Sequence, residues 1–316
     1  MQLATLELWG RQSPALILGD SVLSLAACVR VAPEARCIPN SVREILEGGD
    51  AALDLVRAIR ERVLSASHSV REQLSACDAW IPLASAKLAA PIEPRIILAC
   101  GMNYRGHLQE MGAPMPTAPT AFLKNAGAVI GSGSAIVLPR DHPNMVDWEA
   151  EFCGVIGRPC HCVSPDDALD YVAGYTMIND VSARDWAKPV QQMAGLEATR
   201  AWDQNLLGKQ FPTFCPMGPT LATKDEMDAE DATFQLRVNG SVMQSARTND
   251  LVFSLAALVA HYSQYYRFQP GDVITTGSPA GVGMGRNPRI FLKAGDVVEI
   301  EADGIGTLRN PVVASS

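Results

Sequence analysis

The sequence predicts an α+β protein, with a mixed β core, rolled or barrel-like, preceded by a small α/β domain. Three observations predict it. Beyond residue 95, short apolar or alternating segments recur between glycine- and proline-bearing turns. Only two stretches in that region carry helix signals, too few for a doubly wound sheet in which strands and helices alternate. The first 90 residues differ, with one short strand signal and otherwise helical periodicity. The expected division is residues 1–90 as a packing or capping domain and 91–316 as the domain that carries the chemistry.

Alternation over residues 2–9 gives the first strand. Residues 42–46 and 51–64 follow as helices, and in the second Leu53, Val56, Ile59 and Val63 recur about one turn apart on one face. The stretch ends at Pro82, and AAPIEPR (89–95) is the linker. Apolar strands are expected at 96–99 and 128–130, and an alternating one at 148–156. Ser164, with Pro165 and Asp167, starts a helix running to about residue 173. Residues 175–180 read as a strand leaving the interior. The run 234–238 breaks at Asn239-Gly240, a two-residue hairpin signal. A helix over 251–265 follows Asp250, and Pro270 stops it. Strands at 273–276 and 297–301 come last, each behind a turn, Pro270-Gly271-Asp272 and Ala294-Gly295-Asp296.

With 316 residues, 47% hydrophobic and 19% charged, the chain can bury a sizeable core and is far too apolar to be disordered. A net charge of −8 without a Lys/Arg-dense stretch argues against nucleic acid and against an anionic membrane surface. The most apolar window, 251–260, is about ten residues long, and a membrane helix needs about twenty. MQLATLELWG lacks basic residues ahead of an apolar run, so no secretory leader is expected. Eight irregularly spaced cysteines in a chain this large are expected as reduced thiols, and the expected location is cytoplasmic.

The most informative segment is Asp147-Trp148-Glu149-Ala150-Glu151-Phe152. On a strand Glu149 and Glu151 share one face, roughly 7 Å apart. Buried, they repel and lose hydration, which an oxygen-seeking divalent cation relieves. On a solvent-facing edge the same Glu-x-Glu means nothing. Asp180, at the end of its own strand, can complete a three-carboxylate site, and an oxygen-only set favours Mg²⁺ or Mn²⁺ over Zn²⁺. Arg184 and Asp185 follow, and an ion pair between them is an equally good reading. His107 and Glu110, three apart, can meet within one helical turn, a carboxylate orienting an imidazole as a general base requires. The glycine-dense run Thr275 to Gly283 can set backbone N–H groups and a Thr hydroxyl against an anion, with Lys209 as a positive charge. Cys160-His161-Cys162 lacks a second pair at zinc spacing, and Ser278 lacks a nucleophile elbow.

Seven blocks stand in one order: Gly101-Met102-Asn103-Tyr104 with His107 and Glu110; residues 119–124; Asp147-Trp148-Glu149-Ala150-Glu151; Asn179-Asp180-Val181-Ser182-Ala183-Arg184-Asp185; Leu207-Gly208-Lys209; Pro216-Met217-Gly218-Pro219; and residues 270–283. Over residues 95–310 the chain thereby resembles the fumarylacetoacetate hydrolase family. The resemblance implies a mixed β roll, a homodimer, and Mg²⁺ or Mn²⁺ held by Glu149, Glu151 and Asp180. It implies His107 with Glu110 as the water-activating pair on a segment that closes as a lid, and Lys209 as a catalytic cation. Tyr104, Arg105, Arg184 and Thr276 are implied as contacts to a small 2-oxo or diketo acid. The activity implied first is hydrolysis of a C–C bond in a 2,4-diketo acid, acylpyruvate or fumarylacetoacetate-like, through an enolate. The alternative is decarboxylation, isomerisation or hydration by the same kind of site. Ser278 stands where many relatives have Thr, Trp186 and Ala187 where they carry a polar group, and residues 191–200 read as an insertion beside the pocket.

Overall fold

The alternating segment at the N-terminus forms the strand Gln2–Leu8, which pairs with Arg11–Leu18 and, at Gln2↔Ala222, with the centre of the molecule. The computed structural model describes residues 1–186 and 193–315. A 12-stranded mixed sheet runs through it. From one edge the order is Trp80–Pro82, Ser21–Ser24, Arg11–Leu18, Gln2–Leu8, Cys215–Thr223, Val172–Asn179, Ala150–Ile156, Val273–Thr275, Ile97–Gly101 and Thr120–Lys124. Leu88–Ala89 and Val129–Ile130 pair off this path. A second sheet of five strands orders Ser241–Arg247, Thr233–Val238, Val297–Ala302, Gly306–Ala314 and Ile136–Leu138.

Two cores lie on the two faces of the large sheet. On one, Phe152, Tyr175 and Met177 pack with Phe234, Leu236, Ile300 and Leu308 of the smaller sheet. On the other, Cys153, Val155 and Ile178 pack with Leu3, Ile45, Val56 and Ile59 from the first 90 residues. The central strands are therefore covered twice, which explains why Ala150–Ile156 and Cys215–Thr223 are buried at every residue.

The α+β class stands, but the barrel-like core does not. The edge strands Trp80–Pro82 and Thr120–Lys124 do not pair with each other, so the large sheet is open. Closure needs first and last strands to meet. Here the N-terminal strands hydrogen-bond onto Cys215–Thr223 and lengthen the sheet sideways instead.

Other differences are local. Ser164 does accept from Asp167 N, but only a 3₁₀ turn, Ala168–Tyr171, follows before the strand Val172–Asn179 begins. The ladder with Ala150–Ile156 overrides the helix-start signal. The helix expected over 251–265 is shorter, Leu255–Ser263, because Ser254 caps it by accepting from Ala257 N. Helices His68–Ala76 and Gly195–Leu207 were not expected. Nor was the strand Cys215–Thr223; Pro219 sits where the ladder to Val172–Asn179 shifts register, the place a sheet tolerates proline. Ala187 and the start of the stretch 191–200 lie outside the described residues. Among the described residues no helix is long and apolar enough to cross a membrane.

Gly174, in the middle of Val172–Asn179, lies so close to the neighbouring strand that a Cβ there would sit 2.1 Å from Ala222 O. Gly174→Ala is expected to destabilise the fold by about 2 kcal/mol or more through overpacking, read as a lower denaturant midpoint. An unchanged midpoint would show that the two strands can part at no cost.

Candidate active site

One antiparallel register assembles the acidic cluster. Ala150 is opposite Asn179, which sets Glu149 beside Asp180. Asp180 N donates to Glu149 O (2.8 Å), and Glu149 N donates to Asn179 Oδ1 (2.9 Å). Glu151 leaves the same face of its strand as Glu149. All three carboxylates are buried, and each offers an oxygen within 4.8 Å of the others. The solvent-edge reading of Glu-x-Glu is thereby excluded.

Three cations from three different elements answer this charge. Lys209, just past the helix Gly195–Leu207, places Nζ 2.6 Å from Glu149 Oε2, 2.6 Å from Asp180 Oδ2 and 2.8 Å from Ser182 Oγ. Lys124, the last residue of an edge strand, has Nζ 2.6 Å from Asp180 Oδ1, although its aligned hydrogen bond goes to Lys209 O (2.6 Å). Arg184 donates through Nη2 to Glu149 Oε1 and through Nε to Asp147 Oδ2 (3.1 Å). Asp185 is not its partner; Asp147 and Glu149 are.

The titration directions follow from this layout. Burial pushes the Glu149 carboxyl up, but Lys209 and Arg184 outweigh it and hold it below the usual carboxylate range. Glu151 has no such pair: burial, then the charges of Asp180 and Glu149, push it well above that range. Burial lowers the Lys209 ammonium, while Asp180 and Glu149 raise it further, and the net direction is up. Glu151 Oε2 is buried with no hydrogen-bond partner among the described residues. A desolvated oxygen facing two other carboxylates, with no donor of its own, fits a hard cation. Glu149, Glu151 and Asp180 form a donor set able to hold a divalent metal.

His107 and Glu110 do meet. They lie on the short helix Arg105–Met111, with His107 Nδ1 2.9 Å from Glu110 Oε2. Glu110 Oε1 accepts from Gly281 N (2.9 Å). Burial pushes the Glu110 carboxyl up, but the bonds from His107 and Gly281 bring it below its ordinary value. His107 is itself buried. Tyr104 is fully buried edge-on to Phe234, and its hydroxyl, near Thr276, makes no well-aligned hydrogen bond among the described residues. Thr276 Oγ1 donates to Phe152 O (2.9 Å), so its hydroxyl proton is committed to the backbone. Arg105 is exposed, with Nη1 on Leu251 O (2.6 Å).

Two residues at the site carried no role in the sequence. Lys124 sits inside a motif block, but a lysine ending a strand usually points to water; only the fold shows it buried against Asp180. Asp147 opens the acidic motif, yet alternation alone does not say that it accepts four hydrogen bonds.

Residues 96–313 match the fumarylacetoacetate (FAA) hydrolase C-terminal family. The chain belongs to that family. It is 41% identical over 281 residues, covering 87% of this chain and 79% of the other, to a mitochondrial oxaloacetate tautomerase of Xenopus laevis. The crystal structure of a 5-carboxymethyl-2-hydroxymuconate delta-isomerase from Mycobacterium smegmatis superposes with a TM-score of 0.70 at 33% identity, covering both chains fully. A maleylpyruvate hydrolase from Sphingobium sp. SYK-6, in complex with manganese(II) and pyruvate, does so with a TM-score of 0.69 at 27% identity, again covering both chains fully. Family, fold and carboxylate cluster together make the chain a metal-associated enzyme of this family.

The cytoplasmic location is corrected by the same comparisons, since the relatives in question are mitochondrial by name. All eight cysteines are free thiols, but free thiols do not distinguish one reducing compartment from another.

Glu151→Gln replaces the carboxyl that has no counter-ion by a neutral amide, whose oxygen is a weaker donor to a divalent ion. The metal-free protein is expected to melt at a higher temperature than the parent, while calorimetric titration shows Mn²⁺ binding weakened at least about tenfold, since even outer contacts to a metal site are worth that much. A lower melting temperature together with unchanged Mn²⁺ affinity would remove Glu151 from the ligand set.

Proposed function

We propose that this protein is a divalent-cation-dependent tautomerase of a short 2-oxo dicarboxylic acid, interconverting the enol and keto forms of oxaloacetate. The observation that favours tautomerisation over C–C hydrolysis is the 41% identity, over 87% of the chain, to a protein named oxaloacetate tautomerase. The isomerase of the same fold at 33% identity points the same way. The site residues proposed are those met above: Glu149, Glu151 and Asp180 for the metal, His107 and Glu110 for proton movement, Lys209 for charge, and Tyr104, Arg184 and Thr276 beside the substrate. Residues 1–90 are proposed to extend and cover the sheet rather than to react.

The chemistry asks little of the protein beyond one mobile proton and a place for negative charge. Ketonisation breaks the enol O–H bond and forms a C–H bond at C3, and the reverse reaction undoes both. A cation bound by the three carboxylates supplies Lewis-acid stabilisation of charge on the C2 oxygen. Glu110 fixes the His107 ring through Nδ1, which leaves Nε2 as the atom that can hold a proton and return it to carbon. Lys209 adds fixed positive charge in a water-poor setting, where it counts for more than in solvent. Nothing is consumed, so the same residues serve both directions.

The test follows loss of the enol absorbance of oxaloacetate with Mg²⁺ or Mn²⁺, against a metal-only blank. Rate acceleration that disappears with chelator is expected, and His107→Ala should lower kcat about 10²- to 10⁴-fold, the range for a lost general acid–base. No acceleration over the blank, or a His107→Ala enzyme with the parent's rate, would overturn the reading. Cleavage of an acylpyruvate into two products with uptake of water would restore hydrolysis.

A further inference from the structure

We propose that Asp147 is a positioning residue that joins the His107–Glu110 pair to the metal-ligating carboxylates through one buried carboxylate. The proposal goes beyond the tautomerase reading and rests on it only for the kinetic part of its test.

Asp147 is wholly buried. Its Oδ1 accepts from Trp148 N (2.9 Å) and Gly283 N (2.6 Å), and its Oδ2 from Met284 N (3.0 Å) and Arg184 Nε (3.1 Å). Every partner is a donor, so a carboxylate satisfies the set and no neutral side chain of the same size does. From this centre two branches leave. One runs through Arg184, whose Nη2, itself 3.0 Å from Asp147 Oδ2, donates to Glu149 Oε1. The second runs through the loop behind Val273–Thr275. Gly283 N and Met284 N fix that loop on Asp147, and Gly281 N then supports Glu110 Oε1 (2.9 Å), which in turn holds His107. Gly281 O is pinned as well, by Trp148 Nε1 (3.1 Å) and Arg286 Nε (3.3 Å).

The loop sequence fits this duty. A Cβ on Gly283 would lie 2.7 Å from Asp147 Oδ1 and 1.9 Å from Ile290 O, so only glycine permits the approach. Charge matters as much as shape. Arg184 is a cation beside Glu149, and unbalanced it would oppose a divalent ion at the same carboxylate. The charge of Asp147 offsets it, so Arg184 orients Glu149 without weakening the site.

Asp147→Asn tests both branches. Whichever way its amide turns, an N–H₂ faces a backbone N–H, and the offsetting charge is gone. The expected result is Mn²⁺ affinity lowered about tenfold or more, measured by calorimetry without substrate, and kcat at saturating Mn²⁺ lowered about 10- to 100-fold with KM moving far less. Trp148→Phe removes the Nε1 bond to Gly281 O without changing a partner of the Asp147 carboxylate, so it disturbs the loop branch alone and should lower kcat while leaving Mn²⁺ affinity within about threefold. That split is not what a general loss of packing produces. An Asp147→Asn enzyme that melts cooperatively and keeps both Mn²⁺ affinity and kcat within twofold of the parent would overturn the proposal, even if its melting temperature fell. Should Asp147→Asn give no cooperative melt, Trp148→Phe decides: loss of kcat and Mn²⁺ affinity in equal measure would overturn it. If the parent itself lacks tautomerase activity, the Mn²⁺ measurement on Asp147→Asn still decides, because it needs no substrate.

Discussion

Three carboxylates that cannot move apart and are nearly shut off from water govern this molecule. Glu149, Glu151 and Asp180 are buried at the end of paired strands, with oxygens within 4.8 Å of one another. Like charges that close in a poorly hydrated setting repel strongly. The surrounding structure counters them with Lys209, Lys124 and Arg184, each from a different part of the chain. Compensation is uneven, however. Glu149 and Asp180 are paired, whereas Glu151 keeps an oxygen without a donor. That unevenness makes the cluster a candidate binding site, because a divalent ion would satisfy what the side chains leave over.

Rigidity at this point comes from the sheet. The strand Ala150–Ile156 is flanked by Val172–Asn179 and Val273–Thr275 and covered on both faces by separate apolar cores. Residues on such a strand have almost no freedom to separate, so the repulsion cannot be relieved by local fraying. Ala150, between the two glutamates, has its N–H held by Gln244 Oε1 (2.9 Å) from the smaller sheet, and Gln244 Nε2 reaches Ser278 Oγ and Pro279 O of the glycine-rich loop. The smaller sheet thus braces the acidic strand and the loop together. A site on paired strands holds its geometry better than one on loops alone.

Hydrolysis and tautomerisation of 2-oxo acids share most of their demands. Both need a cation near the keto oxygen, a place for enolate charge and a base that can return a proton. They part over whether water is delivered to a second carbonyl. A helix such as Arg105–Met111, held at Gly106 N by Asp250 and at Glu110 by Gly281 N, can serve either outcome with the same histidine. This is why one family carries hydrolase, isomerase and tautomerase names on one fold.

By itself the sequence determined the ligand chemistry: Glu149 and Glu151 share a face because strand side chains alternate, His107 meets Glu110 because a helical turn brings i and i+3 together, and an ordered series of motif blocks identified the family. These are short-range facts, readable from spacing. Only the tertiary structure decided that Asp180 stands beside Glu149, through the pairing of Ala150 with Asn179, that Arg184 serves Glu149 and Asp147 rather than Asp185, and that Lys124 is buried at the site. It decided as well that the N-terminal strands extend an open sheet instead of leaving a barrel to close. Strand partners and buried counter-ions are set by contacts between residues far apart in the chain, and local spacing carries no record of which distant segment will supply them.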